Sequence, residues 1–560
     1  MKNYLILLII LTIIHTNIFG QNLESIAKQK PFAISGSFDI RGIGYTSDGI
    51  MARRSPFMYM ISGSPTISLY GISIPLSFTY SEQERNFRQP FNQFGMSPTY
   101  KWATAHIGYR NVSFSPYTLA GYTMLGAGVE LNPNKFRFGF MVGRLNRATT
   151  VDTTTGTVQP ITFSRYGYAA KIGYGTEESH VDLSFLKAKD SEQNFQGDIN
   201  TSTVRPAENA VVGADLKLTF AKKFFVFADA GMSIYTRDFQ SNLALDLNTY
   251  PILNAVNSVI KLNGTSEYYL AYSGGVGFRE KNYSLKIAYK KIDPNFQSMG
   301  AYFFQNDVQN LSISPTFNAL KGKLRFLGSV GIQQDNTKKQ KQATTQRIIA
   351  MGNVSWDIDP KFGIDANYTN FSSNSEPTVA KVQNKYLLAQ TTKNLSISPR
   401  LIIANANTTN VLLASYNLSN LVDVNNETQT INNINSSVAL LNYNLTLNKM
   451  GLTLMSGVNY ILNKFSLGEI SNIGFTAGAS KGFIKNQLLF STSNSYVIST
   501  LPQGKSTILN LGINTSYQPT VNHRFTLRVN SLNNTPSDDA VGGQAKFSEQ
   551  TGEVAYTFTF

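Results

Sequence analysis

From Phe32 onward the chain alternates apolar and polar residues at a period of two and scarcely departs from it. Phe32, Ile34, Phe38 and Ile40 interleave with Ala33, Ser35, Ser37, Asp39 and Arg41, and Phe136, Phe138, Phe140 and Val142 with Arg137, Gly139, Met141 and Gly143. The pattern returns at Tyr166 to Tyr174, Phe362 to Tyr368, Leu509 to Ile513 and Phe525 to Val529. A strand sends successive side chains to opposite faces, so each run of about ten residues reads as a strand with one greasy and one polar face. The last nine residues, GEVAYTFTF, place Val554, Tyr556, Phe558 and Phe560 on one face and Glu553, Ala555, Thr557 and Thr559 on the other. Every such strand needs an apolar partner for its greasy face.

A soluble sandwich also alternates. The second face decides between the two: it carries Gly, Ser, Thr, Asn and a few charges, strand after strand, with aromatic residues at the ends of the apolar stripe. That is the wall of a water-filled barrel with lipid outside and aromatic girdles at the interfaces. In lipid every backbone group must be paired, and closing the sheet achieves this. Charged residues are only 15% of the chain, against 28 Tyr, 36 Phe and 42 Gly, which suits a protein needing both surfaces.

Connection lengths alternate as well. Short turns are expected at Leu131–Lys135, Ala221–Lys223, Arg279–Asn282, Lys321–Lys323, Asp359–Lys361 and Asn448–Gly451, rich in turn-forming and charged residues. Long polar stretches lie between them, at Glu82–Gly95, Gln193–Glu208, Gln240–Gly264, Asp335–Thr345 and Leu532–Lys546. Short on one side and long on the other is the habit of outer-membrane barrels, with turns in the periplasm. The expected fold is all-β, a transmembrane antiparallel up-and-down β-barrel of about 26 strands, in a range of roughly 22 to 28. The count turns on Pro98 to Leu119, which holds one strand or two.

Lys2, the apolar run Leu5 to Ile14 and the Gly20–Gln21 junction read as an export signal over residues 1–20. The run is too short to span a bilayer. A short periplasmic segment, residues 21–31, and one barrel domain, residues 32–560, complete the expected organisation. There is no cysteine, hence no disulfide framework, thiolate metal site or N-terminal lipid attachment through Cys. The formal charge of +15 would admit nucleic acid, an acidic membrane surface or an anion path; export argues against nucleic acid.

The final strand, with Tyr556, Phe558 and Phe560 alternating to the end, resembles the assembly signal of Gram-negative outer membrane β-barrel proteins. The resemblance implies recognition by the barrel assembly machinery and a place in the outer membrane among lipid and lipopolysaccharide. The "FGQ" junction, the Asn-rich body and the missing lipobox look like Bacteroidota proteins. TonB-dependent receptors carry a plug ahead of the barrel, yet alternation here begins at Phe32, which leaves no room for one.

Catalytic patterns are missing: no HExxH, GxSxG or Gly-rich phosphate loop stands in the required context, so no enzyme, cofactor or metal is expected. His180 and Asp182 have the spacing of a base with an orienting carboxylate, a role that also needs a nucleophile; otherwise His180 belongs to a turn beside Glu177 and Glu178. His106 is expected to face the lumen, and His523 to lie at a turn. Asp357 and Asp359 flank a cation or, beside Pro360, make a turn.

Parity assigns a set of lumen charges. The basic ones are Arg41, Arg137, Arg165, Lys171, Lys217, Lys286, Arg325 and Arg528; the acidic ones are Asp39, Asp182, Asp215 and Asp365. Such an excess either favours anions through field focusing between low-dielectric walls or is consumed by pairing across the wall and with luminal loops. Residues 41–240 hold twelve arginines and residues 401–520 none, so one arc of the wall should be charged and another neutral, an asymmetry that either holds a folded loop, a substrate or a partner or reflects drift. Loops such as Gln240–Gly264 are candidates to fold inward. The expectation is a barrel channel for passive passage of polar solutes, with anions favoured if the basic set is bare. The alternative is a structural or docking barrel partnering secretion, adhesion or envelope-assembly components.

Overall fold

The computed structural model describes residues 31–70, 72–81, 93–149, 162–193, 195, 204–246, 251–301, 305–341, 343–377, 389–423, 433–466, 468–502, 504–537 and 545–560. The expected export signal and all but Pro31 of the segment after it lie outside them. One antiparallel sheet of 29 hydrogen-bonded segments forms 26 wall strands, because three strands are each split by a bend. The split strands are β1 (Phe32–Ser35 and Ser37–Asp48), β2 (Phe57–Gly63 and Thr66–Leu69) and β4 (Gln93–Met96 and Thr99–Tyr100), the last broken at Pro98; β3 is Ile72–Ser81. Next come β5 (Ala103–Asn111), β6 (Thr123–Leu131), β7 (Phe136–Asn146), β8 (Ser164–Gly175), β9 (His180–Ser191), β10 (Glu208–Phe220), β11 (Phe224–Thr236), β12 (Ser266–Arg279), β13 (Tyr283–Ile292) and β14 (Val308–Ala319). Then follow β15 (Leu324–Gln334), β16 (Ala343–Asp357), β17 (Phe362–Pro377), β18 (Ala389–Ala404), β19 (Thr408–Asp423) and β20 (Ile434–Leu447). The last are β21 (Leu452–Phe465), β22 (Gly468–Phe483), β23 (Leu488–Leu501), β24 (Gly504–Thr520), β25 (His523–Pro536) and β26 (Phe547–Thr559).

Each strand pairs with the next, and β26 returns to β1 in register from Ser37↔Thr559 to Asp48↔Ser548. At the end of this seam Gly36 and Phe560 exchange both backbone hydrogen bonds, at 3.0 and 3.1 Å. The seam supplies the final strand with its second edge. The region Pro98 to Leu119 holds one whole strand, the last two residues of β4, and an inward loop; the even total comes from β4, whose first half lies inside the stretch expected as the loop Glu82–Gly95.

All six expected turns connect strands at one end of the barrel, the end to which β1 and β26 bring residues 32 and 560. The longer connections are at the other end. Gln240–Gly264 is one of these; it carries the short helix α1 (Pro251–Asn257).

The apolar parity points to the outside. Val142, Ile172, Leu183, Val212, Val276 and Leu511 are all exposed, while their in-strand neighbours of opposite parity are polar, small or buried. A continuous exposed apolar band around a closed sheet has no partner in water; acyl chains are its partner. Aromatics gather on this face beside the turns, among them Phe136, Tyr174, Phe224, Tyr283, Phe317, Trp356 and Phe525. The protein is an outer-membrane β-barrel.

Gly36 sits between the two pieces of β1 at φ +137°, where a Cβ would come 2.5 Å from the Ser64 carbonyl oxygen and 2.7 Å from Pro65 Cα. Gly552, on the same seam, would present a Cβ to open space. Gly36→Val should therefore destabilise the barrel by about 1–3 kcal/mol, read as an earlier midpoint of the heat-modifiable gel band, while Gly552→Val should shift it by less than about 0.5 kcal/mol.

Candidate functional site

The lumen face is built from the parity opposite the exposed apolar band, and its two halves differ. On β5 to β13 two connections from the long-loop end fold inward and pack on the wall. The first is Val112–Tyr122, between β5 and β6; the second is Asp293–Ala301, after β13. Phe114 and Leu119 of the first and Met299 of the second join Met124, Met141, Leu145, Ala169, Leu186, Ala188 and Val211 of the wall in one buried apolar cluster. Tyr117 and Phe296, edge to face at 5.9 Å, join Tyr269, Ala271 and Ile292 in a second.

Wall glycines make the room. A Cβ on Gly139 would meet the Phe114 ring at 2.5 Å, one on Gly231 would meet Tyr117 Cβ at 2.5 Å, and one on Gly213 would meet Thr118 Cγ2 at 2.9 Å. Polar anchors fix the register. Ser115 Oγ donates to Asp229 Oδ1 at 3.1 Å, and Thr118 Oγ1 to Ser184 Oγ at 3.1 Å. The two loops are tied to each other by Ser298 Oγ donating to Thr118 O at 2.6 Å and Ala120 N donating to Gly300 O at 3.0 Å. Met299 N donates to Asn209 Oδ1 of the wall at 2.9 Å.

The sequence-assigned charges lie on this lumen face, and they are paired. Arg137 donates through Nε and Nη2 to both oxygens of Asp182 at 2.8–3.0 Å. Arg165 bonds Asp190 at 2.8 Å, and Arg325 meets Asp357 at 3.1 Å. Arg41 lies 3.6 Å from both Asp39 and Glu553, and Arg528 lies 3.5 Å from Glu553. Asp39 also accepts from Thr557 Oγ1 at 2.8 Å, and Asp365 from Arg400 at 3.0 Å. Lys171 stands 5.4 Å from the Phe114 ring and Lys286 4.3 Å from the Phe227 ring, both as cation–π contacts. Lys217 donates to the Glu177 carbonyl at 3.0 Å.

The acidic set was undercounted. Glu130, Asp190, Asp229, Asp357 and Glu553 share the lumen parity, and Glu553 was already on the polar face of the final strand in the sequence. Applying parity to every strand finds them, and adds Arg110, Lys290, Arg347 and Arg400 to the basic side. The arginines of the sequence-assigned set are thus consumed by carboxylates, while Lys171, Lys217 and Lys286 rest on two rings and a carbonyl.

His180 does not pair with Asp182. Its Nε2 faces Asp215 Oδ1 at 2.6 Å and its Nδ1 faces Thr176 O at 2.8 Å. His180, Asp182 and Asp215 could offer ligand atoms within 4.8 Å of one another, and the Arg137 guanidinium already bonds Asp182. His106 is buried between Ser97 Oγ at 2.9 Å and Glu130 at 3.0 Å. His523 faces outward, its Nδ1 2.8 Å from the Tyr556 hydroxyl and its ring 4.9 Å from Phe558, so these three form part of the turn-side aromatic band. Asp359 closes a turn, accepting from Lys361 N at 2.7 Å and Phe362 N at 2.8 Å.

The inward loops were not found in the sequence; Gln240–Gly264 was the stretch expected to fold in. Its described residues instead bond to strand ends, Lys261 N donating to Glu208 at 3.2 Å. A signal for the true loop exists: Val112–Tyr122 is a long connection with no charged residue, and its Phe114, Tyr117 and Leu119 need cover.

The other arc, β19 to β24, carries no lysine or arginine on its lumen face, and Arg528 of β25 borders it. Ser415, Asn417, Asn442, Asn459, Thr476, Ser493, Asn510 and Asn514 alternate along it with glycines such as Gly474 and Gly512. A concavity bounded by Ser491, Ser493, Asn510, Asn514, Arg528 and Asn530 opens on this wall.

No family model matches the chain, and no curated protein matches it in sequence. Solved structures similar to it include the translocation pore of the P pilus usher PapC (10% identity over 94% of this chain and 100% of that one, TM-score 0.40). Another is the FrpB iron transporter from Neisseria meningitidis, F3-3 variant (11% identity, 96% and 83%, TM-score 0.37). A third is the outer membrane protein OpdK from Pseudomonas aeruginosa (10% identity, 69% and 100%, TM-score 0.27).

Two outcomes follow from the loop anchors. Gly231→Val should expel Tyr117 and raise single-channel conductance several-fold, with the heat-modifiable gel shift retained. At the rim, Lys338 meets Asp293 at 2.9 Å and Lys341 meets Asp307 at 2.6 Å, clamping both ends of the second inward loop. Burial pushes the Asp307 carboxyl up, but Lys341 and the N–H groups of Thr337 and Asn336 outweigh it, and the group ends below its ordinary value. A depressed carboxyl stabilises above its unfolded pKa of about 3.9 and loses that contribution as pH falls through the lower folded value. Asp307→Asn should therefore speed tryptic cutting after Lys338, Lys339 and Lys341 at pH 8, and its deficit in thermal midpoint against the parent should shrink once pH falls below the unfolded carboxyl value of about 3.9.

Proposed function

We propose that the protein is a channel for passive passage of polar, uncharged or weakly charged solutes, running beside the neutral arc of the lumen. The observation that carries this reading is the division of the lumen: the inward loops pack on β5 to β13, while no described loop residue joins a buried cluster on the Ser/Asn/Thr-lined face of β19 to β24. Barrels of about 16 to 18 strands already enclose an aqueous path, so a wall of 26 can hold a partial plug and still conduct.

Anion preference, the finer expectation, is weakened by the pairing of the lumen arginines with carboxylates. The passage should discriminate by size and hydrogen bonding more than by charge. The reading includes export by residues 1–20, a single domain over residues 32–560, and assembly through Tyr556, Phe558 and Phe560. The Bacteroidota likeness rests on composition and gains nothing from the solved structures, whose printed organisms are Acinetobacter, Neisseria and Pseudomonas.

Planar-bilayer recording of the purified barrel tests it. Stepwise conductance is expected, with a reversal potential within about 10 mV of zero in a tenfold KCl gradient, where strong selectivity would approach about 59 mV for a single charge. Absence of steps in both the parent and the Gly231→Val variant would favour a docking barrel instead.

A further inference from the structure

The turn side of the barrel carries an unexpected charge. Its short connections contain ten lysines and no arginine, against the four carboxylates Glu177, Glu178, Glu280 and Asp359. The long connections at the other end are near balance, with 14 basic and 13 acidic residues. The ten lysines are all exposed. Lys223 is held by Glu280 at 2.9 Å and Lys323 donates to the Ile358 carbonyl at 3.3 Å, but among the described residues Lys222, Lys321, Lys449 and Lys485 have no ion-pair partner.

Backbone geometry adds a second, independent observation. Lys101, Lys222, Lys321 and Lys485 sit at φ of 52°, 59°, 58° and 52°, the left-handed region where Gly or Asn costs less. A tight turn alone gives no reason for lysine at these positions. Beside them stand exposed apolar residues: Trp102, Leu320 and Ile484, with Met450 next to Lys449. These exposed apolar residues lie at the same end of the barrel as the aromatic band of Phe224, Tyr283 and Trp356, each next to a lysine in its turn.

An apolar anchor with an ammonium next to it matches the boundary between acyl chains and headgroups. We propose that the turn-side lysine ring binds the phosphates of anionic phospholipids in the leaflet at that end of the barrel. A soluble acidic protein would satisfy the charge, but it would give no role to the apolar residues next to the lysines.

The test uses the full-length barrel in non-ionic detergent, with retained lipid counted by native mass spectrometry after adding equal phosphatidylglycerol and phosphatidylcholine. The parent should retain phosphatidylglycerol about five-fold over phosphatidylcholine. The variant K101N/K222N/K321N/K485N, whose Asn residues suit the left-handed turns, should keep the heat-modifiable shift and fall to near-equal retention. A parent without preference, or a folded variant that keeps it, overturns the proposal. Displacement of phosphatidylglycerol by soluble polyglutamate at matching charge concentration also overturns it, and would assign the ring to an acidic protein.

Discussion

The hydrogen-bonded seam between β1 and β26 is the constraint on which the rest depends. In a hydrocarbon medium each unpaired backbone group costs several kcal/mol, so a sheet of this size exists there only if its two edges meet. The seam pairs twelve residues on each strand, and the Gly36–Phe560 exchange prolongs it to the final residue. Meeting after an even number of antiparallel strands brings both ends of the wall to the turn side. It also fixes one parity outward for the whole circumference, which is why a single rule of alternation holds over so many strands.

Closure at this circumference creates a second problem, a lumen wider than its own side chains can fill. The solution is local. Asp182, Asp215 and Asp229 stand directly opposite one another on β9, β10 and β11, an arrangement that repels. Each is given a different partner: Arg137 from β7, His180 from β9 and Ser115 from the inward loop. The third partner makes the loop part of the electrostatic balance of the wall. Its apolar residues then bury themselves over Gly139 and Gly231, and burying a side chain such as Phe114 or Leu119 contributes about 1.5–3 kcal/mol.

The fold was legible because it depends on period, and period survives in a single sequence. Phe136 to Val142 or Leu509 to Ile513 announce their strand, their outward face and their length. The lumen was legible only as far as parity reaches: Arg137 and Asp182 could be placed on one face, but their pairing across β8 depends on register between strands distant in sequence. The inward loop was hidden for a different reason. Phe114, Tyr117 and Leu119 lack strand spacing, and the glycines that receive them, Gly139, Gly213 and Gly231, look like the other small residues of a lumen face. The one available signal was negative, a long connection without charge.

Connection length bears on why the described inward loops lie on one arc. Between β21 and β22, and again between β23 and β24, only two residues join strands at the long-loop end. Links of that length cannot leave the wall, so neither of them can cover the lumen face of β21 to β24. That face is also where arginine is missing and where Ser, Asn, Thr and Gly alternate, a surface that water can wet without help from counter-charges. The charged arc requires partners for its carboxylates and has long loops to supply them; β21 to β24 carry no lumen charge to pair. Composition and loop length thus vary together around the wall, and the proposed path runs beside the strands that the shortest loop-end links join.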